Sequence, residues 1–217
     1  MVKYRKKSIK KRGRSSPWYN KRYSAMQVAS KALSATRYIR GLVNSEMFHY
    51  QKTGNSNLFS TGTILPITDI AIGDTAATRT GNSIFVRSLF LNLLIKSNST
   101  NLNTQFCRLI LFTDTQQLQD TTPAVSDVLT TATPNSTLNP NTAGRFKVIK
   151  NWQFYINQAT KPAFQIKKYT KLWHHVKYNG SSNTDIQRGG LYLLYLSDQT
   201  GYTPDIAYQT NLGYHDN

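Results

Sequence analysis

The chain has 217 residues, with 27 Lys or Arg against 10 Asp or Glu and a formal net charge of +17. No apolar run reaches the roughly 18 residues of a membrane-spanning helix, and no apolar segment follows the charged N-terminus as a secretory leader requires. The one cysteine, Cys107, excludes an internal disulfide, so the fold must rest on its core, and a reducing compartment suits it.

The charge is concentrated at one end. Residues 1–40 hold 13 basic residues and no acid, and the first acid is Glu46, which is also the only glutamate. Residues 41–217 hold 14 basic and 10 acidic residues. A nearly balanced domain therefore carries a polycationic arm whose natural partner is a polyanion. Lys3, Arg5, Lys6, Lys7, Lys10, Lys11, Arg12, Arg14, Lys21 and Arg22 fall within residues 1–23, with Tyr4, Trp18, Tyr19 and Tyr23 among them. Apolar residues are too sparse there to offset chain entropy, which predicts disorder in the free protein. Cations neutralise phosphates and release counterions, giving tight, salt-sensitive binding. Aromatic faces stack on unpaired bases, which favours single strands over duplex. Lys6, Lys7, Lys10, Lys11 and Arg12 also have the density of a nuclear localisation signal, which implies a nuclear import receptor.

Next, Ser24 and Gln27 have capping-box spacing, and Ala25, Val28, Ala32, Ala35, Tyr38 and Leu42 recur at three and four residues. A short helix over 24–40, ended by Gly41, is expected, the alternative being more arm. From about residue 43, period-2 segments take over. Strands are expected at Met47–Gln51, Thr63–Ile67, Ile84–Lys96, Phe106–Thr113, Arg145–Asn157, Phe164–Tyr178, Leu191–Leu196 and Ile206–Tyr214. In Ile84–Lys96, Phe85, Leu89, Leu91, Leu93 and Ile95 share an apolar face that Arg87 interrupts. In Arg145–Asn157, Phe146, Val148, Trp152, Phe154 and Ile156 share one, broken by Lys150. Leu191–Leu196 is apolar on both faces, as a central strand is. Residues 114–144, with Pro123, Pro134 and Pro140, form a long connection of the kind usually functional or interfacial, with one helical turn at Asp127–Leu129. The pattern is an antiparallel sandwich or barrel. The domains are thus residues 1–42, a basic arm, and 43–217, a β body.

Little here points to catalysis. His174 and His175 are adjacent, so on a strand they face opposite ways and cannot chelate one ion side by side. Cys107 in an apolar strand reads as a small core residue. No phosphate loop occurs, and the carboxylates are too few for a legible acid/base pair. No enzyme, cofactor or metal site is expected. The later cations, Arg145, Lys147, Lys150, Lys161, Lys167, Lys168, Lys171, Lys177 and Arg188, either line a surface against nucleic acid or are solvated strand faces.

After the basic arm come Arg79-Thr-Gly-Asn-Ser-Ile84-Phe-Val-Arg-Ser, then Arg108-Leu-Ile-Leu-Phe-Thr-Asp114-Thr-Gln116, Asp127-Val-Leu129, Arg145-Phe146-Lys-Val and Gly189-Gly-Leu-Tyr-Leu-Leu-Tyr. That series resembles the capsid proteins of small circular single-stranded DNA viruses, the circovirus-like group. Asn151 departs from it, since similar proteins often carry an acid there. The resemblance implies an all-β, eight-stranded antiparallel viral jelly roll and a homo-oligomer of sixty copies in an icosahedral shell. It also implies location in the virion, and in the host nucleus during assembly. Sixty arms of 13 cations would supply on the order of 800 charges to a packaged genome. The expected partner is single-stranded nucleic acid, DNA ahead of RNA, although plant satellite RNA viruses have similar small jelly rolls and keep that choice open. A host attachment factor is not legible. The rival reading is a cellular basic β-domain that binds RNA without forming a shell; a jelly-roll lectin or enzyme fits the arm and the sparse histidines poorly.

Overall fold

The structure, a computed structural model, describes residues 24–42, 47–118 and 121–216. The chain divides into two units, residues 1–44 and 45–217. In the first, helix α1 spans Ala25–Leu42. Its start is a reciprocal capping box: the Ser24 amide donates to Gln27 Oε1 (3.1 Å) and the Gln27 amide donates to Ser24 Oγ (3.3 Å). These bonds satisfy two amides that have no partner within a helix's first turn. No acidic residue lies in α1, and Met26, Val28, Leu33 and Tyr38 are exposed on it.

The second unit is built from β1 (Met47–Asn57), β2 (Thr63–Pro66), β3 (Ser83–Lys96), β4 (Gln105–Asp114), β5 (Phe146–Ile156), β6 (Ala163–Tyr178), β7 (Ile186–Arg188), β8 (Gly190–Ser197) and β9 (Asp205–Asp216). One sheet has the order β1-β9-β3-β6-β7 and the other β2-β8-β4-β5, with every pairing antiparallel. With β7 set aside, two four-stranded sheets whose neighbours are so far apart in sequence are the interleaved Greek keys of a jelly roll. The expected eight strands are present. The ninth, β7, is three residues long and too short to show a period. The core between the sheets takes Leu89, Leu91, Leu93 and Ile95 from β3, Leu172 and Val176 from β6, and Leu109 and Leu111 from β4, all buried.

Two phase assignments need correcting, and a bulge explains each. The register of β3 shifts between Val86 and Ser88, so Ile84 and Val86 are buried before the shift and Leu89 onward after it. Phe85 consequently faces away from the core, and Arg87 is the extra residue of the bulge rather than an interruption of an apolar face. In the β4–β5 pair the register shifts between Leu111 and Phe112, leaving Ile149 unpaired. Trp152, Phe154 and Ile156 stand opposite Leu109, Cys107 and Gln105 on the inter-sheet side, but Phe146 and Val148 stand opposite Asp114 and Phe112 on the other. One extra residue moves all later side chains to the opposite face.

The long connection, expected to hold one helical turn at Asp127–Leu129, carries its turn slightly earlier and is packed. Residues 121–144 contain a short helix, α2 (Val125–Val128), and a 3-10 turn at Pro140–Thr142. Val128 and Leu129 are buried, Leu129 bridges to Leu138, and the Asn139 side chain donates to Ser126 O (2.9 Å). Arg108 Nη1 donates to the carbonyls of Pro134 and Ser136, and its Nε to Asn151 Oδ1 (3.1 Å). The segment therefore lies over the side of β4 that carries Arg108 and Ile110. Its base is closed by Arg145, which donates Nε to Asp114 Oδ1 (2.9 Å) and Nη2 to Asp114 Oδ2 (2.6 Å). Asp114 is fully buried, and a bidentate pair of this kind fixes orientation as well as distance.

Arg79, in the motif before β3, is also fully buried. It donates to the carbonyls of Ile70 (2.9 Å), Gly81 (2.7 Å) and Gly180 (2.5 Å) and lies 3.9 Å from the Tyr178 ring centre. Asp216, at the end of β9, accepts from the amide and hydroxyl of Thr80. The Arg-Thr-Gly motif thus ties the β2–β3 and β6–β7 connections and the last strand together, a structural task.

Candidate nucleic-acid interface

All the arm residues that sequence reasoning singles out, from Lys3 to Arg22, lie outside the described residues, and so does the import cluster. The described part offers a second basic surface on the outer face of the five-stranded sheet. Register places its side chains in rows. The row nearest the start of β1 reads Met47, His215, Phe85, His175. Lys177 and Arg188 are paired at the adjoining edge. Further along come Gln51, Asn211, Phe90 and Tyr169, then Thr53, Gln209, Asn92 and Lys167. At the far end stand Asn57, Asp205, Lys96 and Ala163. Asp205 is the one carboxylate in these rows among the described residues, and it stands beside Lys96. The face is otherwise amide-rich, cationic and aromatic. Phe90, Tyr169 and Trp173 are 39%, 57% and 59% exposed.

The first row contains Met47, where β1 begins. Strands lie about 4.8 Å apart, so Met47 and His175 are separated by three spacings, about 14 Å.

At that end Trp173 is flanked by Arg87, whose guanidinium carbon lies 3.7 Å from the indole centre, and by Phe85 in a T-shaped pair with ring centres 6.1 Å apart. Phe85 in turn packs against His175, with ring centres 4.7 Å apart. Beside them a cleft of about 630 Å³ opens between β5 and β6, lined by Lys147, Lys171, Trp173, His174, His175 and Arg188 among others. His174 Nε2 pairs with Gly189 O (3.1 Å), and burial holds its pKa below the ordinary value, helped by Lys147 and His175.

The later cations thus separate by role. Lys147, Lys171 and Arg188 come together, with Lys167 and Lys177 on the same sheet face as Lys171. Arg145 is committed to Asp114, and Lys161 lies over the Phe164 and Tyr155 rings (4.6 and 5.0 Å). Lys150 and Lys168 stand opposite core leucines, at the rims of their sheets. Sequence reasoning missed Arg87, Trp173 and Phe90 as surface groups. For the first, the signal was its break in an apolar face, which marks a bulge. Cys107 is buried in the core and its thiol pKa is pushed up to about 12, which suits a packing role. Among the described residues no His, Cys, Asp or Glu cluster could hold a metal ion.

Residues 20–216 match the family described as the satellite tobacco necrosis virus coat protein. The chain is 31% identical over 163 residues to the coat protein of Maize white line mosaic satellite virus, covering 71% of each. Solved structures with some likeness include one of desmodium yellow mottle tymovirus, at 11% identity and a TM-score of 0.40, covering 79% of this chain and 88% of that one. Another is the native virion of Kashmir bee virus at acidic pH, at 12% identity and a TM-score of 0.33, covering 100% of this chain and 81% of that one. The fold assignment rests on strand order and not on these overlaps. The sequence matches fall among satellite viruses and not in the circovirus-like group that the motif series resembles.

Proposed function

This chain belongs to the family of the satellite tobacco necrosis virus coat protein and is a viral capsid protein, structural rather than catalytic; from that premise, we propose that it packages a single-stranded RNA genome through residues 1–23 and the outer face of the five-stranded sheet. Membership of such a family implies self-assembly into a shell, and we take the shell to be icosahedral, with sixty copies. One observation carries the reading: 13 cations and no acid precede a domain of nearly balanced charge. An arm of that kind gains little from its own fold and much from a polyanion. RNA replaces DNA as the expected genome because the family is that of satellite viruses.

The test is the nucleic acid that accompanies purified shells. We expect it to be destroyed by ribonuclease and spared by deoxyribonuclease. Deleting residues 1–23 removes ten cations. For single strands each phosphate contact contributes about 0.7 to the slope of log K against log salt, so the slope should fall by up to about 7. An unchanged slope would sink the assignment of packaging to the arm.

A further inference from the structure

Resting on the reading that this coat protein packages single-stranded RNA, we propose that the cleft between β5 and β6 is a nucleotide subsite, its cations holding a phosphodiester while Trp173 stacks on the adjoining base.

Four observations converge on it. First, the cleft measures about 630 Å³, within the roughly 300–1,000 Å³ of small-molecule sites. Second, Lys147, Lys171 and Arg188 line it and no carboxylate does, so its field attracts an anion. Third, both bulges serve it. Without the Ile149 bulge, Lys147 would point to the side covered by residues 121–144; with it, Lys147 stands opposite Thr113 and lines the cleft. Without the bulge after Val86, Arg87 would have a place in the ladder; with it, the guanidinium reaches the Trp173 ring. Bulges re-aim side chains: one delivers Lys147 to the opening, and the other sets Arg87 against Trp173, the ring that lines it. Fourth, Trp173 keeps 59% of its surface exposed although it is held firmly: Arg87 lies over its ring and Phe85 meets it in a T-shaped pair. A large ring fixed in place and left in solvent is a stacking platform.

A carboxylate from a neighbouring copy is the alternative occupant, and the acid inventory argues against it. Asp69 and Asp114 are in salt bridges, and Asp127, Asp185, Asp198 and Asp216 accept hydrogen bonds from backbone amides of this chain. Six of the nine aspartates are thereby committed within the subunit.

The experiment uses the full-length protein and a short oligouridylate carrying 4-thiouridine. Ultraviolet crosslinks should map to the peptide that holds Trp173. Trp173→Ala should weaken binding about tenfold at unchanged salt slope, with Trp173→Phe keeping most of the affinity. Lys147→Gln combined with Lys171→Gln should lower the salt slope by about 1.4. Crosslinks confined to residues 1–40, with wild-type affinity in Trp173→Ala, overturn the subsite and leave packaging by the arm standing. No crosslink anywhere, with no RNA in purified shells, overturns the packaging reading itself. A zero-length carbodiimide bond from Lys147 or Lys171 to a second copy's carboxylate overturns the subsite in favour of a subunit contact.

Discussion

The four-stranded sheet turns Arg108, Ile110 and Leu194 away from the inter-sheet core and covers them with residues 121–144, whereas the five-stranded sheet leaves Phe90, Tyr169 and Trp173 in solvent. The two sheets share one architecture, so the difference lies in what each outer face is given to meet. On the first, alternating residues are apolar on both sides, and a fully buried strand needs a lid. That lid is built from the chain itself and fastened at its base by Asp114 and Arg145. On the second, the outward residues are largely amides, cations and rings, and no segment of residues 47–118 or 121–216 is laid over them as a lid. Within the described β unit, one face is finished and the other is left open.

Removing the fastening should break the comparison most severely. Asp114→Ala leaves Arg145 without its partner, and breaking a buried pair costs about 3–5 kcal/mol. Urea denaturation should show that loss, and proteolysis should begin within residues 121–144. Cleavage elsewhere with an unchanged midpoint would mean that the pair does not hold the lid. Leu194→Ala tests the covered face itself. Leu194 is fully buried and lies with Val125 beside Gly62, so truncation should cost about 2–5 kcal/mol.

The strands were legible because each carries an apolar face of sufficient length, and their order follows from the jelly-roll resemblance. The phase of two strands was not legible. A bulge adds one residue without any composition signal strong enough to mark it, so strict alternation puts Phe85 and Val148 on faces they do not occupy. The lid's helical turn is legible near Asp127, but its packing is not, for a related reason. Thr, Asn and Pro dominate residues 121–144, and its few anchors, Val125, Val128, Leu129 and Leu138, are too widely spaced to form a period. The Asp114–Arg145 pair spans that segment, and nothing local announces a contact between residues so far apart. As for the interface, the arm is visible as composition, but the cluster of Arg87, Lys147, Lys171, Trp173 and Arg188 depends on register and could be assembled only in space.

A smaller effect should sharpen the comparison at the open side of the sandwich. Burial holds His174 below its ordinary pKa, with Lys147 and His175 acting in the same direction and the Gly189 carbonyl opposing them. The folded state therefore prefers the neutral ring. Its contribution to stability is complete above the unfolded value of about 6.5 and is lost as pH falls towards the folded value, because the unfolded chain takes up the proton first. Thermal midpoints measured between pH 8 and 5 should fall on the acid side, and His174→Gln should flatten that part of the curve. An identical acid slope in the variant would place the titrating group elsewhere.

The smallest change expected is on stability at the uncovered face, and there the near-absence of an effect is the informative result. Tyr169→Ser removes a ring that is 57% exposed and stands opposite Phe90. Surface substitutions away from special features stay within about 0.5 kcal/mol, so the denaturation midpoint should barely move. If that ring instead completed the fold, as Leu194 does, the cost would approach that of a core truncation. Retention of RNA in the shell should nevertheless fall in Tyr169→Ser, because base stacking on an aromatic contributes about 1–3 kcal/mol. A protein that keeps its stability and loses its cargo would separate the two faces by function. One that keeps both would make the exposed rings ordinary surface, and the burden of packaging would pass to the arm alone.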